Sequence, residues 1–189
     1  EMALQGLCEI IANPNSPKHR IGNYWHCLPE YEQARKAIWE GVNAHTGKKR
    51  IDEAFPAELI AGSDSTTMMK RFKNGSTYQL IGSDRYNATV GSGPVGIIYS
   101  EWALANPSAW AYHRPMIEEN GGWAAFITTP RGNNHAKSMF DLATKDMARG
   151  GRWFAELSDV LQTKALSQEQ MEESLLEYQA IYGVDFGLA

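Results

Sequence analysis

The chain has 189 residues, a formal net charge of −4 and 43% hydrophobic residues, enough apolar side chain to fill the core of one domain. The acidic balance excludes a protein that coats nucleic acid with its whole surface, and Lys48-Lys49-Arg50 and Lys70-Arg71 with Lys73 read as solvated faces. Cys8 and Cys27 have neither metal-site nor disulfide-framework spacing, so reduced buried thiols of an intracellular protein are expected. No apolar run is long enough to cross a bilayer and the first residues lack a secretory pattern, so a soluble protein is expected, with no membrane partner.

In chain order, Leu4, Leu7, Cys8 and Ile11 line one helical face, ended by Asn13-Pro14-Asn15. Gly22 to Leu28, rich in Tyr and Trp and closed by Pro29, reads as a strand. Tyr31, Ala34, Ile38 and Val42 then define a second amphipathic helix. Residues 43–56 read as a surface connection. Thr66–Phe72 and Ser76–Gly82 are strand-like runs joined by Asn74-Gly75, a pair that tolerates the positive φ of a tight hairpin.

Gly91-Ser92-Gly93-Pro94 precedes a buried strand, Val95 to Tyr99, that ends in Ser100-Glu101. Residues 107–119 read as a helix, and Trp123 to Ile127 as a second buried strand ending in Thr128-Thr129-Pro130-Arg131-Gly132. Ala136, Met139, Phe140, Ala143 and Met147 mark another helix, and Arg152–Leu157 a further strand. Ser167 to Gln170 forms an S-x-x-Q capping box for a helix whose face carries Met171, Leu175, Tyr178 and Tyr182. Strands alternating with helices predict an α/β fold, a mainly parallel sheet with helices on both faces and an inserted β-hairpin, in one domain over residues 1–189.

In open parallel sheets, ligands bind beyond the carboxyl ends of the strands. Glu101 and Thr129 would then face one crevice. A carboxylate at a rigid strand tip suits orienting a water for attack on a phosphate; the competing reading is a cap for the following helix. Ser100 offers a hydroxyl to a metal-bound water. Thr128-Thr129 offers one to a terminal phosphate, or simply ends the strand in a Thr-Pro turn. Arg85 and Arg131 on loops are either surface charges or arginines acting on a neighbouring subunit. His19, His26, His45, His113 and His135 lack paired metal spacing, and Trp102 and Trp110 read as core aromatics.

Several segments in order carry a family resemblance. They are Tyr24-Trp25-His26-Cys27-Leu28-Pro29 leading into Gln33 through Trp39, Arg71-Phe72-Lys73-Asn74-Gly75-Ser76, Gly82-Ser83-Asp84, Val95 through Ala103, and Thr129 through His135. From about Gly22 to Gly187 the chain resembles the ATPase domain of the phage terminase large subunit, the motor that packages viral DNA. The resemblance implies a P-loop NTPase-like core in which Glu101 is the catalytic carboxylate after the Walker B strand, and Thr128-Thr129-Pro130 the motif coupling hydrolysis to DNA movement. It implies ATP and Mg2+ as ligands, with Ser100, Thr128 and Thr129 on the nucleotide side and Ser100 assisting magnesium through water. It also implies double-stranded viral DNA, a portal protein and a small terminase subunit as partners, a homo-oligomeric ring, and the cytoplasm of a host cell.

This sequence departs from the family in two places. Ser100 stands where the Walker B aspartate is usual, and no Gly-Lys phosphate loop is present, since Gly47-Lys48 has neither the strand nor the helix such a loop needs. The phosphate cradle and the element leading into the first helix are therefore expected upstream of Glu1, making this a domain truncated on its N-terminal side. The family's nuclease domain is not matched. An inert P-loop-like scaffold and a helicase-like ATPase outside packaging remain the alternatives.

Overall fold

A computed structural model describes residues 2–89, 91–158, 162 and 167–182. The chain divides into two compact units, Glu1–Met139 and Phe140–Ala189.

The first unit begins with helix α1 (Met2–Ala12), whose Leu4, Leu7, Cys8 and Ile11 are buried as their spacing predicts. Strand β1 (Asn23–Leu28) is buried along nearly its whole length, as a central parallel strand must be. Helix α2 (Tyr31–Ala34) widens into a π turn over Arg35–Trp39, closed by Glu40 N donating to Arg35 O. The helix ends at Trp39, so Val42 lies beyond it, exposed and bridged to Lys49, against the helical face expected for it. The expected surface connection 43–56 also contains short helix α3 (Arg50–Ala54), which buries Ile51 and Ala54, with Phe55 beneath it.

The inserted hairpin is present, within a three-stranded antiparallel meander. Strand β2 (Ile60–Asp64) pairs with β3 (Met69–Phe72), which pairs with β4 (Thr77–Gly82). The turn between β3 and β4 passes through Gly75 at φ 92°, and Asn74 Oδ1 accepts from Ser76 N. Residues 65–68 form a turn, so β3 starts later than the sequence pattern suggests.

Strand β5 (Pro94–Ser100), helix α4 (Pro107–Glu119), strand β6 (Trp123–Ile127) and helix α5 (His135–Ala148) follow. Asn106 caps α4 by accepting from Ser108 N, with Pro107 at the first helical position, where its missing N–H costs nothing. The six strands form one sheet in the order β2-β3-β4-β1-β5-β6, with β4, β1, β5 and β6 mutually parallel.

Alternation along the parallel strands splits the core in two. Tyr24, Leu28, Tyr78, Leu80 and Ile98 join α1 and α3 on one face, whereas Trp25, Cys27, Ile97 and Tyr99 join Trp102, Ala109, Ile117 and Ala136 on the other. Helices thus cover both faces, as expected for this class. Cys8 and Cys27 are free and buried, and burial pushes both thiols above their ordinary range.

Beneath α4, buried His113 accepts from Tyr99 Oη at Nδ1 (2.8 Å) and donates from Nε2 to Thr89 Oγ1 (2.9 Å). The direction follows because Thr89 spends its own proton on Tyr86 O (2.6 Å).

Gly82 ends β4 where a Cβ would meet the Tyr31 backbone and the Asp84 carboxylate. Gly82→Ala is therefore expected to destabilise the protein by about 2 kcal/mol. An unchanged urea midpoint would show that the loop yields.

In the second unit, residues 153–158 carry no regular strand, against the expectation for Arg152–Leu157. A strand exists only where a neighbour takes up its backbone hydrogen bonds, and among the described residues this segment pairs with none of the six. Its backbone turns instead on Asp146, whose Oδ2 accepts from Trp153 N. Helix α6 (Gln168–Tyr182) opens with the expected capping box: Ser167 N donates to Gln170 Oε1 and Gln170 N to Ser167 Oγ. No described helix is long and apolar enough to cross a membrane.

Candidate active site at the carboxyl edge of the sheet

The four parallel strands end together. Leu28 pairs with Gly82, Cys27 with Tyr99 and Ser100 with Ile127, so the loops that follow share one edge of the sheet. Ser83 Oγ stitches three of them, donating to Pro29 O (2.8 Å) and accepting from Asn106 N (2.9 Å). Asp84 Oδ1 accepts from Tyr31 N and so holds the start of α2.

Ser100, the last residue of β5, is half-buried. Its Oγ lies 2.7 Å from His26 Nε2, and His26 Nδ1 lies 3.2 Å from Tyr78 Oη, a hydrogen-bonded row across β5, β1 and β4. Burial lowers the His26 pKa to about 4 and raises that of Tyr78, so at neutral pH an uncharged ring sits between two hydroxyls.

Glu101 follows at φ 55° and ψ 43°, the left-handed region that non-glycine residues rarely occupy. Its side chain is half-buried and, among the described residues, its carboxylate has no hydrogen-bond or ion-pair partner. Its carbonyl accepts from Leu104 N in a short 3-10 turn over Trp102–Leu104. Glu101 therefore precedes that turn but offers its side chain no capping bond, which removes the helix-cap reading.

The strained backbone is held by its neighbours. Trp102 is fully buried against Tyr99, Phe126 and His135. Thr128 Oγ1 accepts from Ala103 N (3.0 Å), and His135 Nε2 donates to Trp102 O (2.7 Å). The segment after β6 thus grips the residues directly after Glu101 at two points. Thr129 is exposed and its carbonyl accepts from Thr128 Oγ1; no hydrogen bond joins it to Glu101. The structure brings Ser100, Glu101 and Thr128 together, with Thr129 next along the same edge.

Arg85 is half-exposed, stacked 4.5 Å over the Tyr31 ring, with Glu32 and Asp84 each 3.7 Å away; Arg131 is exposed. Trp110 packs edge-on against Tyr99 and Phe126, as a core aromatic. No group of three or more His, Cys, Asp or Glu side chains suited to a metal forms among the described residues. An open concavity of about 610 Å³ lined by Lys48, Lys49, Asp52, Glu53 and Pro56 shares no residue with this edge.

Sequence reasoning did not assign His26, Ser83 or His135 to this edge. The signals available were His26, an imidazole inside an apolar run, and the family-like segments that carry Ser83 and His135.

The sheet order and the covering of both faces are those of a P-loop-like α/β fold. Among solved structures the fold is that of phage large terminase ATPase domains. The Thermus phage P74-26 large terminase ATPase domain superimposes with a TM-score of 0.54 at 20% identity, covering 94% of this chain and 75% of that one. A large terminase from a second, thermophilic bacteriophage, in complex with ADP, gives 0.57 at 16% identity, covering 86% and 38%, and its complex with ATP-gamma-S gives 0.56 at 17%, covering 88% and 38%. This chain thus spans well under half of that second terminase. Comparison with protein-family profiles and with curated protein sequences gives no match.

Proposed function

We propose that this chain is the motor ATPase domain of a viral terminase large subunit, coupling ATP hydrolysis to the packaging of double-stranded DNA into a capsid. One observation carries the reading: a carboxylate without a partner among the described residues, Glu101, fixed in left-handed backbone at the tip of a central parallel strand.

In-line attack on a terminal phosphate needs an acceptor that orients water. Glu101 fills that role, with its position set by the sheet and by the buried Trp102 ring. Ser100 directs its hydroxyl to the same edge. Thr128 and Thr129 stand on the phosphate side. Because Thr128 holds Ala103 N and His135 holds Trp102 O, displacement of the 128–135 segment pulls on the turn that presents Glu101. That is a mechanical route from phosphate loss to movement.

The donor set fits magnesium, which binds through one or two carboxylates, phosphates and retained waters. Magnesium, when bound, offsets the phosphates' negative charge. Ser100 is the residue that would hold one of its waters, beside Glu101. Portal protein, small terminase subunit and further copies in a ring are the proposed partners, and the host cytoplasm the proposed location.

The test is calorimetry with ATP and Mg2+ on residues 1–189 and on any longer product of the parent reading frame, followed by steady-state hydrolysis. Binding and turnover in the longer chain are expected. Absence of both would overturn the motor and leave an inert scaffold. Hydrolysis stimulated by single-stranded nucleic acid, with no packaging, would favour the helicase-like alternative.

A further inference from the structure

The half-buried end of β5 carries a serine whose oxygen already has a partner inside the protein. A serine hydroxyl at a strand tip ordinarily rotates freely, because it has one proton and two lone pairs to place. Here the row Tyr78–His26–Ser100 restricts it, and only two directions of hydrogen bonding are open to the row. In one, Tyr78 donates to Nδ1 and Nε2–H donates to Ser100. In the other, Ser100 donates to Nε2 and Nδ1–H donates to Tyr78.

The two differ in what they leave unmade. His26 is the sole hydrogen-bond partner of the buried Tyr78 hydroxyl among the described residues. The second direction therefore strands the Tyr78 proton in an apolar core, where its only neighbour is itself donating. The first leaves no buried proton unmatched. A stranded donor is costly, while a spare acceptor lone pair is tolerated.

We infer that His26 is the positioning residue of Ser100: its Nε2–H donates to Ser100 Oγ and so turns the Ser100 hydroxyl proton outward, to the edge beside Glu101. Ser100 then presents a donor and one lone pair to whatever occupies the edge, whereas a carboxylate at this place would present acceptors alone. A hydroxyl proton aimed at the edge suits a phosphate oxygen. The hydrogen-bond direction stands on this chain's own geometry; its effect on turnover rests on the proposed ATPase.

Two measurements test the two levels. Nitrogen-15 NMR of the His26 ring in the unmutated chain at neutral pH is expected to show the proton on Nε2 and an unprotonated, hydrogen-bonded Nδ1. A proton on Nδ1 overturns the inference. In the longer, hydrolysing protein, His26→Asn and Ser100→Ala are each expected to lower kcat about tenfold with KM little changed, the effect of one lost hydrogen bond. The double variant should be no worse than Ser100→Ala, and Ser100→Thr, which keeps the hydroxyl, should restore most of the rate. Losses that multiply in the double variant would show that His26 acts only on packing and overturn its positioning role. A longer protein that never hydrolyses ATP rejects the ATPase reading, and the ring spectrum still decides the direction of the hydrogen bond.

Discussion

Glu101→Gln is expected, in the proposed motor ATPase, to lower ATP turnover by roughly 10²- to 10⁴-fold while nucleotide affinity stays within about threefold. Glutamine keeps the size of the side chain and one acceptor oxygen but loses the charge that accepts a proton from water. The backbone conformation survives, because φ 55° is imposed by the buried Trp102 ring and by the Thr128 and His135 hydrogen bonds, not by the carboxylate. Glu101→Gly sharpens the test. Glycine occupies left-handed backbone without penalty, so this variant should be more stable by about 1 kcal/mol and still inactive. A protein that becomes more stable and loses turnover separates catalysis from folding, whereas unchanged hydrolysis in either variant would remove Glu101 from the mechanism.

The second large effect is acid lability. His26 and His113 are both buried, and burial lowers each to about 4 from an ordinary value of 6.5. Between those values the unfolded chain binds protons that the folded chain refuses. Stability therefore rises with pH across this window, is fully present above pH 6.5 and falls as the pH drops toward 4. Each histidine contributes of order 3 kcal/mol to that loss. Against the roughly 5–15 kcal/mol typical of a domain, the pair takes a large share. Urea unfolding at about pH 7, 5.5 and 4.5 should show a steep decline, and His113→Gln should remove about half of the pH dependence. Glu53 and Asp64 are held below the usual carboxylate range by hydrogen bonds, so their contribution too is lost on acidification, from their ordinary values downward. A flat profile across that range would mean that both rings reach solvent before the protein unfolds.

Much of this architecture was legible because its central strands are apolar on both sides. Trp123–Ile127 stands at its predicted limits, Val95–Tyr99 lies wholly inside β5, and helix Pro107–Glu119 spans the residues read as helical. The S-x-x-Q box was legible for the same local reason, since its hydrogen bonds join residues three apart. Strand β2 was not, because Ile-Ala-Gly-Ser-Asp has one strong strand former and becomes a strand only by pairing with β3. Helix α3 is a single turn, too short for a period to show. The site divides the same way. Ser100 and Glu101 were visible as polar residues closing an apolar run. The tie from His26 to Ser100 spans 74 positions and exists only because β1 and β5 are neighbours in the sheet. The sequence pattern sets Glu101 and Thr129 at one crevice; the hydroxyl that reaches the turn after Glu101 is that of Thr128.

The two sealed cysteines turn the fold into its own reporter. A thiolate is the reactive form, and burial disfavours it at both sulfurs while the core is shut. An alkylating reagent will consequently mark Cys8 only when the first helix lifts away, and Cys27 only when the middle of the sheet comes apart. The ratio of the two labelling rates then reads whether this protein loosens from its amino end or opens all at once.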